Sequence, residues 1–209
     1  MQSQLQESLS QAILSETRPL PQELISPVLA SERLLLRAPA VTDSNAIAHL
    51  ANNIGVASNV SRMPHPYTFK DAENFIGRVI SGAMGKCVYA VTRNDTGEFL
   101  GCCALEVQAA GHGMEIGYWL GEPYWNRGLA TEAAQTLIDF GFQHSDVDFI
   151  DGRVRVMNIA SRRVLQKCGF QFQGTGMMPS LALGGTVAVE WFRLDRKTWG
   201  SLRHWGGAR

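Results

Sequence analysis

The sequence lacks an excess of charge of either sign, with 19 basic and 19 acidic residues among 209. Nucleic acids and anionic membrane surfaces attract proteins chiefly through a basic face. The balance gives no electrostatic reason to expect either as the main partner, although a local basic patch is compatible with it. We therefore expect no nucleic acid and no membrane among the partners.

Cysteine is scarce, and its spacing argues against a metal site. Cys87, Cys102, Cys103 and Cys168 do not stand at the intervals of metal ligands, and the adjacent pair would lie on opposite faces of a strand. All four lie within apolar patterns. We expect reduced, buried thiols, no metal, and no covalent catalysis by cysteine.

Long hydrophobic runs are also missing. No stretch reaches the roughly 20 apolar residues that cross a bilayer, and the first residues lack the basic start and continuous apolar core of a signal peptide. With 45% hydrophobic residues the chain can bury one good core. We expect a cytoplasmic enzyme or binding protein with one domain, residues 31–200.

Two flanking segments are predicted around that domain, an N-terminal extension (residues 1–30) and a C-terminal tail (residues 201–209). The extension carries Leu5, Leu9, Ala12 and Ile13 at helical spacing, followed by a linker that contains prolines. This short amphipathic helix would cap either its own domain or the second subunit of a homodimer.

Hydrophobic periodicity predicts a mixed sheet. Strands at 32–37, 87–92, 99–107 and 114–120 are joined by turns and predict antiparallel pairing. Strand 114–120, helix 129–143 and strand 150–156 then form a βαβ unit, so those two strands should be parallel. A short helix at 161–168 and two late strands at 170–173 and 187–194 follow. The pattern is α/β (α+β), with a mostly antiparallel central sheet.

The start of helix 129–143 is a candidate anion site. Asn126, Arg127 and Gly128 stand where the helix begins, and the first N–H groups of a helix lack intrahelical partners and lie at its positive end. A phosphate docks readily at such a place. Gly128 and Ala130 would allow close approach to the backbone. Judged by the glycine alone, an ordinary helix start is the commoner explanation.

Two motifs in this frame resemble the GNAT superfamily of acyl-coenzyme A N-acyltransferases, and within it the ribosomal-protein alanine N-acetyltransferases. They are residues 115–133 and residues 158–170, and the likeness covers about residues 31–199. It implies a parallel βαβ pair that splays, helices on both faces of the sheet, and acetyl-CoA as cosubstrate. In the phosphate loop, Gly128 and Ala130 match the family, whereas Trp125 replaces the usual Gln or Arg. The residues implied to bind acetyl-CoA are Tyr118, Trp119, Leu120, Asn126, Arg127, Gly128, Leu129, Ala130, Thr131 and Asn158.

The resemblance also implies catalytic residues. Attack by an amine requires a proton acceptor, and Glu115 matches the position of the family's glutamate base. Its apolar neighbours would desolvate the carboxylate, which favours proton uptake; alternatively it pairs with an arginine across the sheet. Asn158 would close the other side of the cleft. A strand N–H near Tyr118 or Trp119 would stabilise the oxyanion.

The acid that would protonate the leaving thiolate is less clear. The tyrosine that many family members carry on the following helix is replaced by Leu165. Ser161 is the available substitute, as in the ribosomal-protein branch, although its hydroxyl would equally serve as a helix cap. Glu190, on a late strand, is a weaker acidic candidate.

The implied activity is acetyl transfer from acetyl-CoA to a primary amine by direct attack in a ternary complex, with a protein N-terminal amine as the acceptor. A small amine, an amino acid or an antibiotic is the alternative acceptor. His65 and Tyr67, on a proline-bounded loop, are the predicted substrate contacts, since loops on rigid scaffolds often supply them; an ordinary exposed histidine is the alternative. The non-enzymatic alternative is an acyl-CoA-binding module, which retention of Glu115, Asn158 and Ser161 disfavours.

Overall fold

The strands of the sheet follow one another in chain order except at its far edge. The structure is a computed structural model that describes residues 27–84, 86–108 and 112–206. Within them, eight strands form one sheet in the order β1-β2-β3-β4-β5-β6-β8-β7. The strands are β1 Leu29–Ala30, β2 Leu34–Arg37, β3 Lys86–Arg93, β4 Phe99–Val107, β5 Gly113–Leu120, β6 Phe149–Arg155, β7 Gln171–Ser180 and β8 Gly185–Asp195.

Every neighbouring pair of strands is antiparallel except β5 and β6. Those two are parallel because a helix carries the chain back between them. The βαβ unit predicted from the sequence is therefore confirmed. The helices are α1 Ser44–Ala51, α2 Ile54–Ala57, α3 Phe69–Ile80, α4 Leu129–Gln143, α5 Ile159–Lys167 and α6 Arg196–Gly206.

Helices cover both faces of the sheet, as the fold prediction requires. Side chains alternate between faces along a strand. Cys103 accordingly lies in the core with α4, whereas its neighbour Cys102 lies in the core with α1 and α3. All four cysteines are buried, and burial raises the pKa of Cys168 to about 12. A reactive thiolate is therefore not available in these cores.

The parallel pair diverges part-way along its length. Its ladder runs from Gly113 and Phe149 to Ile116 and Gly152, and beyond that point β5 and β6 continue without pairing to each other. A Cβ on Gly152 would lie 2.9 Å from Leu165 of α5. Gly152 therefore lets α5 pack against the point where the two strands separate.

The end of the chain differs from the prediction. The tail was predicted to begin near residue 201, but α6 runs from Arg196 to Gly206. Trp199 stacks on Phe142 at 5.0 Å between ring centroids and donates from Nε1 to Asp139 at 2.7 Å. β7 is also longer than predicted, because its glycines and methionines give no alternating pattern. The amphipathic helix predicted around Leu5 and Leu9 lies outside the described residues.

The described part of the chain contains neither a membrane-spanning helix nor a cluster of metal-ligating side chains. None of its helices is long and apolar enough to cross a membrane. No group of three or more His, Cys, Asp or Glu side chains there is arranged to hold a metal ion.

Candidate active site

A cleft of about 800 Å³ opens where β5 and β6 diverge. Its walls are the free ends of the two strands, the first turns of α4 and α5, helix α2, the loop that follows α2, and Met178 of β7. The structure brings to this cleft every residue that the resemblance associated with acetyl-CoA and catalysis: Glu115, Tyr118, Trp119, Leu120, Asn126, Arg127, Gly128, Leu129, Ala130, Thr131, Asn158 and Ser161.

One end of the cleft is a concave run of backbone at residues 126–128, which we call the phosphate loop. Asn126 has φ 60° and Gly128 φ 75°, so both adopt the left-handed conformation. Successive N–H groups in such a run point inward and form an anion-binding nest. Gly128 is also the N-cap of α4 and, lacking a side chain, leaves the first N–H groups of the helix uncapped. The predicted anion site therefore has the backbone geometry it requires.

Basic side chains surround this end. Arg127 comes from the phosphate loop, while Arg163 and Lys167 stand one turn apart on the face of α5 that borders the cleft. None of the three forms an ion pair with another described residue. Arg163 and Lys167 were not predicted as site residues, although their spacing of four residues in the sequence places both on one face of the helix.

The middle of the cleft is the free edge of β5. Backbone groups of alternate residues point to opposite sides of a strand. Because the N–H of Gly121 donates to Leu100 of β4 at 2.9 Å, the backbone groups of Trp119 also face β4. Those of Tyr118 and Leu120 face the cleft. The prediction that Trp119 offers free backbone groups is therefore wrong, although its side chain lines the cleft.

Trp125 replaces the side chain that the family places in the phosphate loop, and the structure shows what it does. Its Nε1 donates to the carbonyl of Leu120 at 2.7 Å, and its ring lies against Gly55 of α2. The indole thus ties the phosphate loop to the end of β5. Because the Leu120 carbonyl already accepts this hydrogen bond, three backbone groups of the edge remain for a ligand. They are the N–H of Leu120 and the N–H and C=O of Tyr118.

A hydroxyl pair joins β5 to α5 across the cleft. Tyr118 Oη lies 2.9 Å from Ser161 Oγ. Burial raises the pKa of Tyr118 above its ordinary value, and the bond to Ser161 opposes this only in part, so the phenol remains protonated. Asn158, not Ser161, caps α5, because its Oδ1 accepts from the N–H of Ser161 at 3.0 Å. The alternative role of Ser161 as helix cap is therefore wrong.

The other end of the cleft is an acidic floor balanced by arginines. Glu115 and Glu106 face each other across β5 and β4. Arg153 of β6 holds both carboxylate oxygens of Glu115, with Nε to Oε1 at 3.0 Å, and Arg62 binds Glu106 at 2.8 Å. The alternative predicted for Glu115, an arginine partner across the sheet, is the one observed. Glu115 keeps 27% of its side chain exposed, so it stays accessible from the cleft.

Comparison with known proteins decides the family, because residues 33–171 match the acetyltransferase (GNAT) domain family. The chain belongs to that family. Among its relatives, the uncharacterized N-acetyltransferase p20 of Bacillus licheniformis is 27% identical over 81% of this chain and 96% of its own. The uncharacterized protein YkkB of Bacillus subtilis is 37% identical over 70% of this chain and 87% of its own. The L-amino acid N-acetyltransferase AaaT of Escherichia coli is 25% identical over 74% and 93%.

Solved structures agree with the GNAT fold at low identity. The ribosomal L7/L12 alpha-N-protein acetyltransferase RimL, in complex with coenzyme A, superposes with a TM-score of 0.70 at 19% identity, covering 81% of this chain and 98% of its own. The ribosomal-protein-S5-alanine acetyltransferase of Vibrio fischeri gives 0.69 at 17%, covering 83% and 98%. The protein is an N-acetyltransferase of the GNAT family, with ribosomal-protein acetyltransferases among its structural neighbours.

Three predicted side chains of this acetyltransferase lie elsewhere. His65 is exposed outside the cleft, and Tyr67 is buried in the core beside α1 and α3. Their loop instead contributes Ser61 and Arg62, which precede the prolines. Glu190 is bound by Nε of Arg162 and does not line the cleft. A loop pattern cannot show which of its residues turn inward, because that depends on the strands beneath it.

Proposed function

We propose that this acetyltransferase binds acetyl-CoA along the divergence of β5 and β6 and transfers the acetyl group directly to the α-amine of a peptide or protein N-terminus. The observation that carries the proposal is the end of the parallel ladder at Ile116 and Gly152. It leaves an unpaired strand edge in line with the phosphate loop at one end and the acidic floor at the other.

The unpaired edge suits a ligand that carries amide groups. The pantetheine arm of coenzyme A is such a ligand, and the groups of Tyr118 and the N–H of Leu120 would bond it as a neighbouring strand would. The nest at residues 126–128 and the start of α4 would hold the diphosphate. Arg163 and Lys167 add positive charge on the opposite wall.

Acetyl-CoA supplies an activated thioester, and the protein must manage the protons. An attacking ammonium has to lose a proton, and Glu115 is the acidic residue of the acceptor end closest to the divergence of the strands. Arg153 orients this carboxylate by holding both of its oxygens. Ser161, held by Tyr118, would hydrogen-bond the leaving sulfur. Many family members carry a tyrosine on α5 at the position of Leu165. In this chain a tyrosine of β5, Tyr118, lies beside Ser161 in its place.

We place the acceptor amine on the face of the sheet that carries Glu106 and Glu115. Between the carboxylates and Trp119 lies a pair of small residues, Gly117 and Ala104, which leaves room for a substrate. Glu106 and Glu115, each already bound by an arginine, present carboxylate oxygens that would accept hydrogen bonds from a protonated amine at close range. RimL acts on protein α-amines and AaaT on L-amino acids, so an α-amine is common to both.

A thiol-release assay tests this function. Purified protein and acetyl-CoA are mixed with peptides that differ in the first residue, the same peptides with blocked N-termini, free L-amino acids and simple amines. We expect release with free peptide N-termini and none with the blocked forms. Release with amino acids alone would assign the small-molecule alternative. Tight coenzyme A binding without release for any acceptor would leave only a binding module.

A further inference from the structure

Two residues that are far apart in the sequence form an ion pair next to the phosphate loop. Arg33 stands in the turn between β1 and β2, and Glu132 in the first turn of α4. Oε1 of Glu132 accepts from the N–H of Arg33 at 2.7 Å and from Ser31 Oγ at 2.8 Å. Oε2 accepts from Nε of Arg33 at 2.7 Å. The carboxylate is thus held by donors from one turn of the chain.

The same arginine also holds the phosphate loop. Nη1 of Arg33 donates to the carbonyl of Arg127 at 3.1 Å, and Nη2 is the group nearest to where a Cβ on Gly128 would lie, at 3.5 Å. A trans peptide points its C=O and N–H in opposite directions. Fixing the Arg127 carbonyl therefore also fixes the direction of the Gly128 N–H, which is one of the donors of the nest.

The pair has an electrostatic consequence as well. A carboxylate in the first turn of α4 would compete with a bound anion for the positive end of the helix. Burial alone would raise the pKa of Glu132, but the hydrogen bonds from Arg33 and Ser31 outweigh it and lower that pKa. Glu132 is therefore charged, and Arg33 cancels a charge that would otherwise repel a phosphate.

We propose that Arg33 and Glu132 form a clamp that positions the phosphate loop for the diphosphate of coenzyme A. Arg33 is a positioning residue, because it acts through the backbone of Arg127 and Gly128. The inference rests on the proposed cosubstrate site. Arg33 is 45% exposed and Glu132 is 15% exposed, so the pair links a solvent-accessible guanidinium to a largely covered carboxylate at the start of α4.

The test measures coenzyme A affinity by calorimetry and steady-state kinetics with acetyl-CoA and with acetyl-pantetheine, which lacks the diphosphate. We expect Arg33→Ala to raise both the Kd for coenzyme A and the KM for acetyl-CoA by about tenfold with kcat unchanged. Arg33→Lys should be as weak, because an ammonium cannot hold Glu132 and the Arg127 carbonyl together. With acetyl-pantetheine, both variants should match the wild-type protein.

Two further variants separate the clamp from other effects. Glu132→Gln should weaken coenzyme A binding if geometry matters, whereas a role through charge alone predicts tighter binding, since the variant removes a negative charge. Arg93→Ala is the matched control, because Arg93 forms an exposed pair with Asp95 away from the cleft. It should leave both constants unchanged.

The clamp and the site it serves can fail separately. If the wild-type protein binds coenzyme A and Arg33→Ala binds it equally well, the clamp is refuted and the cosubstrate site stands. An equal loss with acetyl-pantetheine would also refute the clamp, since it would show general damage to the fold. Absence of coenzyme A binding by the wild-type protein would overturn both.

Discussion

Gly117 offers the sharpest separation between folding and substrate binding in this protein. It lies on β5 between Glu115 and Trp119, is exposed to the cleft, and would place a Cβ with no atom within 4 Å. A valine at this position therefore meets empty space in the free protein. In the proposed complex, the same space belongs to the acceptor.

The magnitudes follow from that geometry. Glycine inside a strand is about 0.5–1 kcal/mol less favourable than alanine, and valine is a good strand former, so Gly117→Val should raise the free energy of unfolding by about 1 kcal/mol. Overlap between a side chain and a substrate typically costs about 1–3 kcal/mol. Since about 1.4 kcal/mol corresponds to tenfold in rate, kcat/KM for the acceptor should fall about 10- to 100-fold.

Denaturant unfolding and acceptor kinetics measure the two effects on one preparation. Gly176→Val is the matched control, because Gly176 is an exposed glycine of β7 with equally open surroundings and lies outside the cleft. It should leave kcat/KM unchanged. A folded Gly117→Val variant with wild-type kcat/KM would refute the placement of the acceptor over Gly117 and Ala104.

Four other substitutions probe catalysis and stability. Glu115→Gln should lower kcat about 100-fold near neutral pH and recover in part at high pH, where the amine deprotonates itself; an unaffected pH–rate profile would eliminate this base. Ser161→Ala should lower kcat more than Tyr118→Phe, because in the proposed mechanism only the serine hydrogen-bonds the leaving sulfur, and the reverse order would refute that assignment. Burial alone would raise the pKa of Asp43, but the hydrogen bonds from the Arg37 guanidinium outweigh it and lower that pKa. The ion pair therefore stabilises the fold above the ordinary pKa near 3.8, and this stabilisation is lost as the pH falls below it. Asp43→Asn should lower the free energy of unfolding by about 2–3 kcal/mol at neutral pH. Below the ordinary pKa of aspartate, the stability of the variant should fall less with pH than that of the wild-type protein, as chemical denaturation at several pH values would show.

The helix and strand that carry the site could be predicted from the sequence because their signals are local. Helix α4 was predicted at 129–143, where it lies, since its apolar residues keep a regular helical period. The glycine at its start indicated only a candidate anion site, and the family resemblance was needed to favour a phosphate loop over an ordinary helix start. The divergence of β5 and β6 is not a local property, and it was expected only through the family resemblance.

The contacts that complete the site join distant residues and leave no periodic signal. Tyr118 and Ser161 meet because β5 and α5 face each other across the divergence, which fixes their distance without any sequence motif. Arg33 reaches Glu132 from a turn 99 residues earlier. His65 and Tyr67, predicted as substrate contacts, do not line the cleft, because the orientation of a loop depends on what packs beneath it. Each of these outcomes depends on register and packing, which a single sequence does not display.

Hydrogen exchange of the backbone amides, measured by mass spectrometry with and without coenzyme A, tests the central claim most directly. Bound coenzyme A should slow exchange at Tyr118, at Leu120 and at residues 126–131, where the open strand edge, the phosphate loop and the start of α4 would bond it. Exchange in α3, none of whose residues lines the cleft, should not change. Protection confined to other segments, or none at saturating coenzyme A, would contradict the assignment of this cleft as the cosubstrate site.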